Sequence, residues 1–98
     1  MIVWSQAALR DMVRIQDVTF ERYGFDATLE VDSQNRAAIE TLPYPMNLSK
    51  PGRLGMGERE LLVNIGSKRN EFFVVFTKDG GDSITILNIK HALEKYPK

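Results

Sequence analysis

The sequence predicts an α+β domain in which a short N-terminal strand precedes an antiparallel helix hairpin packed on a three- to four-stranded antiparallel sheet. Three observations carry this. From Ala7 to Tyr23 there is no Gly or Pro, and apolar residues recur at spacings of three and four. Beyond Gly57 the chain turns to three β-rich segments separated by turn residues. Between these regimes lies a stretch holding Pro43, Pro45, Pro51, Gly52 and Gly55, few of its residues strongly apolar.

Taken in order, Ile2-Val3-Trp4 is a short β-prone run, and Ser5 behind it is a good helix N-cap. In the first helix, Ala8, Leu9, Met12, Val13, Ile15, Thr19 and Phe20 form the apolar set, leaving Arg10, Arg14, Asp17 and Glu21 largely opposite. Gly24 suits the helix end, and Asp26 is expected to cap a second helix whose apolar positions are Ala27, Val31, Ala38, Ile39 and Leu42. So short a link forces an antiparallel hairpin. Pro43 ends the second helix, and a loop is expected from there to Gly57. Strands are expected over Glu58–Ile65, Phe72–Lys78 and Ser83–Ile89, joined by Gly66-Ser67-Lys68-Arg69-Asn70 and Asp79-Gly80-Gly81-Asp82. The last two are apolar on both faces in places, so a partner is expected on the face the helices leave open. About one helical turn is expected before Pro97.

Ninety-eight residues, 43% hydrophobic and 27% charged, specify one folded domain spanning positions 1–98 and exclude a disordered chain. Cysteine is absent and His91 is the sole histidine, which sets aside disulfides, thiol chemistry and an ordinary zinc site. No metal or cofactor is expected. The first residues carry no basic leader and no run approaches a membrane span, so a soluble cytoplasmic protein is expected. Formal charge is zero, yet residues 1–49 hold four basic and seven acidic groups, and residues 50–98 nine basic and six acidic. That total lacks the strong positive field of proteins that live by phosphate contacts.

The junction Lys50-Pro-Gly-Arg53-Leu-Gly-Met-Gly-Glu58-Arg59-Glu60 sets three cations beside glycines that allow close approach of backbone to a ligand. Strand alternation puts Arg59 on one face with Leu61, Val63 and Ile65, a guanidinium at the edge of an apolar row. Such a charge either awaits an anion or pairs with Glu58, Glu60 or a helix carboxylate. His91 closes the last strand, where it is expected within reach of Arg59, with a proton-transfer role or a structural hydrogen bond as its two readings. Tyr96 offers a ring for a base or a packed edge residue. Gly52, Gly55 and Gly57 lack the spacing of a phosphate-binding fingerprint, and one histidine specifies no serine triad.

From end to end, the order of strand, helix hairpin, Pro/Gly loop and meander resembles the RelE/ParE toxin superfamily. So do Ile2-Val-Trp-Ser5, Ala38-Ile-Glu-Thr-Leu-Pro43 with Lys50-Pro-Gly-Arg53, Gly57-Glu-Arg-Glu-Leu-Leu-Val63, Phe73-Val-Val-Phe76 and Ile84-Thr-Ile-Leu-Asn-Ile-Lys-His91. The resemblance implies the toxin of a type II toxin–antitoxin system, held in a hetero-oligomer by an antitoxin whose C-terminal segment folds across it. ParE-like members poison DNA gyrase; RelE-like members enter the ribosome and cut mRNA without a metal, the 2′-hydroxyl acting as nucleophile. On the latter reading, Lys50, Arg53, Arg59, His91 and Tyr96 would form the active site, with Tyr96 stacking a base, His91 moving a proton and Arg59 holding the phosphate. Zero net charge and the ending His91-Ala-Leu-Glu-Lys-Tyr96-Pro97 favour the ParE-like, gyrase-directed reading. A relative that only binds its antitoxin is the third expectation.

Overall fold

A computed structural model of the chain describes residues 1–42, 49–52, 55, 57–92 and 94. The described elements are β1 (Ile2–Trp4), α1 (Gln6–Tyr23), α2 (Phe25–Glu40), β2 (Lys50–Pro51), β3 (Arg59–Ser67), β4 (Asn70–Asp79) and β5 (Ile84–His91).

Ser5 starts α1 by accepting the Ala8 N–H at 3.0 Å, while its own hydroxyl donates to the Leu87 carbonyl of β5 at 3.0 Å. One side chain thus both caps the helix and ties it to the sheet. Gly24, at φ 90°, donates its N–H to the Phe20 carbonyl and is at once the end of α1 and the N-cap of α2. The second helix therefore begins at Phe25, before the expected cap Asp26, which instead occupies the first turn, where a carboxylate complements the exposed N–H groups.

The sheet has five strands in the order β1-β5-β4-β3-β2, against the three or four expected. Two short edge strands make the difference. β1 lies parallel to β5, with Ile2 opposite Ile84, because the helix hairpin carries the chain away before the meander forms. β2 falls inside the expected loop and pairs antiparallel with β3, Lys50 opposite Glu60 and Pro51 opposite Arg59. A proline is tolerated there because an edge strand has one side without ladder hydrogen bonds. β3 continues to Ser67, so its hairpin with β4 turns on Lys68-Arg69 rather than on the five residues expected. Between β4 and β5 the register shifts at Phe76/Thr77, leaving Leu87 as an extra residue in β5.

Met12 and Ile15 of α1 and Val31 and Ile39 of α2 pack with Leu61, Phe73, Val75, Ile86 and Ile89 on one face of the sheet. Alternation explains the other face, where Leu62 is 60% exposed and Phe72 and Val74 are half-buried. No described helix is long and apolar enough to cross a membrane.

Candidate functional site

Arg59 begins β3 on the helix-facing side of the sheet, as alternation requires, and is half-buried. Its Nε donates to Ser49 Oγ at 3.1 Å and its Nη2 to the Ser49 carbonyl at 2.6 Å, so the guanidinium binds the strand-entry backbone. Among the described residues no ion pair joins Arg59 to Glu58, Glu60 or a helix carboxylate. Lys50 belongs to the opposite face with its register partner Glu60, Nζ lying 3.6 Å from Oε1. The Lys50 side chain is 71% exposed and Glu60 only 3%, an arrangement in which the lysine screens a buried carboxylate. Arg53 and Tyr96 lie outside the described residues.

The expected meeting of Arg59 and His91 does not occur. Arg59 sits on the rung with Thr77, whereas His91 is opposite Phe73, which pairs with Val63. Four residues along β3 and two strands across put the positions roughly 15 Å apart. The chain order of a meander leaves that separation open, and only the register settles it. His91 is also buried, its Nε2 2.6 Å from Asn70 Oδ1. Burial lowers its pKa below the usual histidine value against the opposing charge of Glu94, so the ring is held neutral, with Nε2–H donating to Asn70. Asn70 Nδ2 in turn donates to Gln34 Oε1 and Asn35 Oδ1, each at 2.9 Å. This chain of side chains joins the end of β5 to the second half of α2 through the start of β4, and it supports the structural reading of His91.

A second polar assembly was not legible in the helical pattern. Arg14, expected on the solvent side of α1, donates to Glu94 Oε2 at 2.6 Å, to the Ile89 carbonyl at 3.0 Å, and to Asp11. Hydrogen bonding to Glu94 first, then to Asp11, raises the Arg14 pKa further above its normal value despite partial burial. Asp11 Oδ2 accepts the Ile89 N–H at 2.8 Å and Asn88 Nδ2 at 3.3 Å, so a buried carboxylate serves the strand backbone next to the bulge. The spacing of Asp11 and Arg14 is visible in the sequence as an i, i+3 pair, but nothing local shows that both turn toward β5.

The large exposed apolar residues lie chiefly on the helix hairpin, with Leu62 on the open sheet face. Leu9, Val13 and Phe20 are 46%, 55% and 56% exposed along α1, and Phe25 and Leu29 are 64% and 55% exposed on α2. Gln16 Nε2 donates to Asp32 Oδ1 at 3.0 Å across the hairpin, which places these residues along the two sides of one interhelical groove. Among the described residues no group of three His, Asp or Glu side chains is placed to hold a metal.

A family model, ParE toxin of type II toxin-antitoxin system, parDE, matches residues 2–96. Among solved structures, a chain of the chromosomal ParDE TA system from P. aeruginosa is similar in fold, with a TM-score of 0.72 and 22% identity over 92% of each chain. No curated protein matches the sequence. Nearly the whole chain is spanned by that family model, and the chain belongs to the ParE toxin family of type II toxin–antitoxin systems.

Proposed function

We infer that this ParE-family toxin arrests growth by binding DNA gyrase, and that a segment of its cognate antitoxin neutralises it by covering the groove between α1 and α2. The observation that carries this reading is the apolar stripe of Leu9, Val13, Phe20, Phe25 and Leu29, a surface suited to another protein. Membership of a toxin–antitoxin family implies the antitoxin; gyrase as the target is the finer step. The alternative, mRNA cleavage by Lys50, Arg53, Arg59, His91 and Tyr96, finds less support, because His91 is buried against Asn70 on a rung distant from Arg59.

Two assays run side by side test it. Purified toxin is expected to inhibit gyrase supercoiling or trap cleaved DNA, and to leave mRNA intact in a translating extract. Unaffected gyrase at doses that stop growth would overturn the reading, and A-site mRNA cuts lost in Arg59→Ala or His91→Ala would establish the nuclease instead. Replacing Leu9, Val13 and Phe20 together by Ser should keep the fold and weaken antitoxin binding at least ten-fold, since buried apolar anchors each carry about 1 kcal/mol or more.

A further inference from the structure

At the opposite end of β3 from Arg59, a cleft of about 280 Å³ is lined by Arg22, Tyr23, Lys68, Arg69, Glu71 and Ala92. Three pieces of chain build it. The last turn of α1 supplies Arg22 and Tyr23, the tight β3–β4 turn supplies Lys68 and Arg69, and Ala92 follows the end of β5. Arg69 stands over the Tyr23 ring with its guanidinium carbon 5.9 Å from the centroid.

Three cations and one carboxylate surround this opening in a chain whose formal charge is zero. The ion pairs seen among the described residues, Arg14 with Asp11 and Glu94, Arg36 with Asp32, and Lys50 with Glu60, do not involve Arg22, Lys68 or Arg69. Glu71 offsets one of the three cations, and an anion in the opening relieves the repulsion among the excess positive charge. The carbonyl end of α1 opposes a negative ligand, and Arg22 in the last turn offsets it. At 5.9 Å from the ring centroid, the Arg69 guanidinium keeps its N–H groups for a phosphate, and Tyr23, 41% exposed, leaves ring surface for a base.

We propose that this cleft binds a phosphodiester of single-stranded nucleic acid, with Arg22, Lys68 and Arg69 on the phosphate and Tyr23 against the adjoining base. An acidic peptide would use the cations but has no use for the tyrosine ring. The cavity lies just below the range of small-ligand sites, about 300–1,000 Å³, and accommodates one nucleotide unit and not a duplex. Nothing in the proposal depends on gyrase being the toxin's target.

The test is fluorescence anisotropy of the full chain with labelled 12-nucleotide DNA and RNA strands of one sequence, titrated at several salt concentrations. Binding of either strand is expected, with a log–log salt slope of about −2, the value for three phosphate-neutralising cations on a single strand. The variant R22Q/K68Q/R69Q should bind at least ten-fold more weakly with a flatter slope, and Tyr23→Ala roughly five-fold more weakly. Glu71→Lys should bind more tightly, a gain that misfolding cannot produce. Circular dichroism confirms that each variant is folded. Three results overturn the proposal: no binding of either strand at 50 mM salt, equal binding by the triple variant, or displacement of the strand by polyglutamate at lower concentration than by unlabelled oligonucleotide.

Discussion

His91 is buried with its Nε2 on Asn70, and burial holds its pKa below the value it regains in the unfolded chain. The unfolded state therefore binds the proton more readily, and stability that is complete above the unfolded value, about 6.5, is lost as pH falls below it. The loss proceeds at no more than about 1.4 kcal/mol per pH unit. Melting midpoints measured from pH 7 to pH 5 should decline more steeply in the natural chain than in His91→Gln; equal slopes would place the acid sensitivity elsewhere. Asn70 is the other residue on which this end of the domain turns. Asn70→Ala removes an acceptor from His91 and a donor from Gln34 and Asn35, and it should cost about 2–3 kcal/mol in chemical denaturation. A loss under 0.5 kcal/mol would show that water replaces it.

The elements are joined where their ends carry polar side chains. Asp11 accepts the Ile89 N–H and binds Arg14, which reaches the Ile89 carbonyl, so one turn of α1 grips β5 at both hydrogen-bonding groups of a single residue. Asp11→Ala strands the buried Ile89 N–H and should cost about 2–3 kcal/mol. Arg14 is 38% exposed, and its removal should cost nearer 1 kcal/mol. A double-mutant cycle of Asp11 and Arg14 showing no coupling would mean that the two hold β5 independently. The one-residue link between the helices makes a separate demand. Gly24 combines φ 90° with ψ −171°, a region open essentially to glycine alone, and a Cβ there meets no atom within 4 Å. Gly24→Ala should therefore lose about 1–3 kcal/mol through backbone strain alone, read as a lowered denaturation midpoint with an unchanged slope.

For the whole molecule, the sheet is covered by helices on one face, and the outer surface of those helices carries a stripe of exposed apolar residues among charged ones. Water is a poor solvent for such a stripe, so the isolated toxin should self-associate or bind hydrophobic dyes more than the Leu9, Val13 and Phe20 to Ser variant does. Light scattering with and without antitoxin checks this; identical behaviour of the two proteins would remove the stripe as the interaction surface. Charge acts on the same scale. The basic excess of residues 50–98 gathers partly at the β3–β4 turn, where it meets Arg22 from a half of the chain that is acidic overall. Composition averages over both halves, and only the fold brings those cations to one cleft.

Much of the fold could be read locally. The Ser5 cap, the Gly24 break, the three- and four-residue apolar spacing of α1 and the alternation of Arg59, Leu61, Val63 and Ile65 are each determined by the residues on the spot, since capping, φ preference and periodicity are short-range. The order of those elements was enough to indicate a toxin family, which the match over residues 2–96 bears out. The site was far less legible. Whether Arg59 and His91 meet depends on strand register and on one bulge, and whether Arg14 faces water or β5 depends on how α1 rolls against the sheet. These are products of packing between segments some 30 to 80 residues apart, which no local pattern encodes. The sequence by itself determined the elements, their order and the family. Tertiary structure alone decided which charges were spent on holding the fold, which gathered at a cleft, and which apolar residues were left exposed, because those outcomes follow from how the helices and sheet pack against one another.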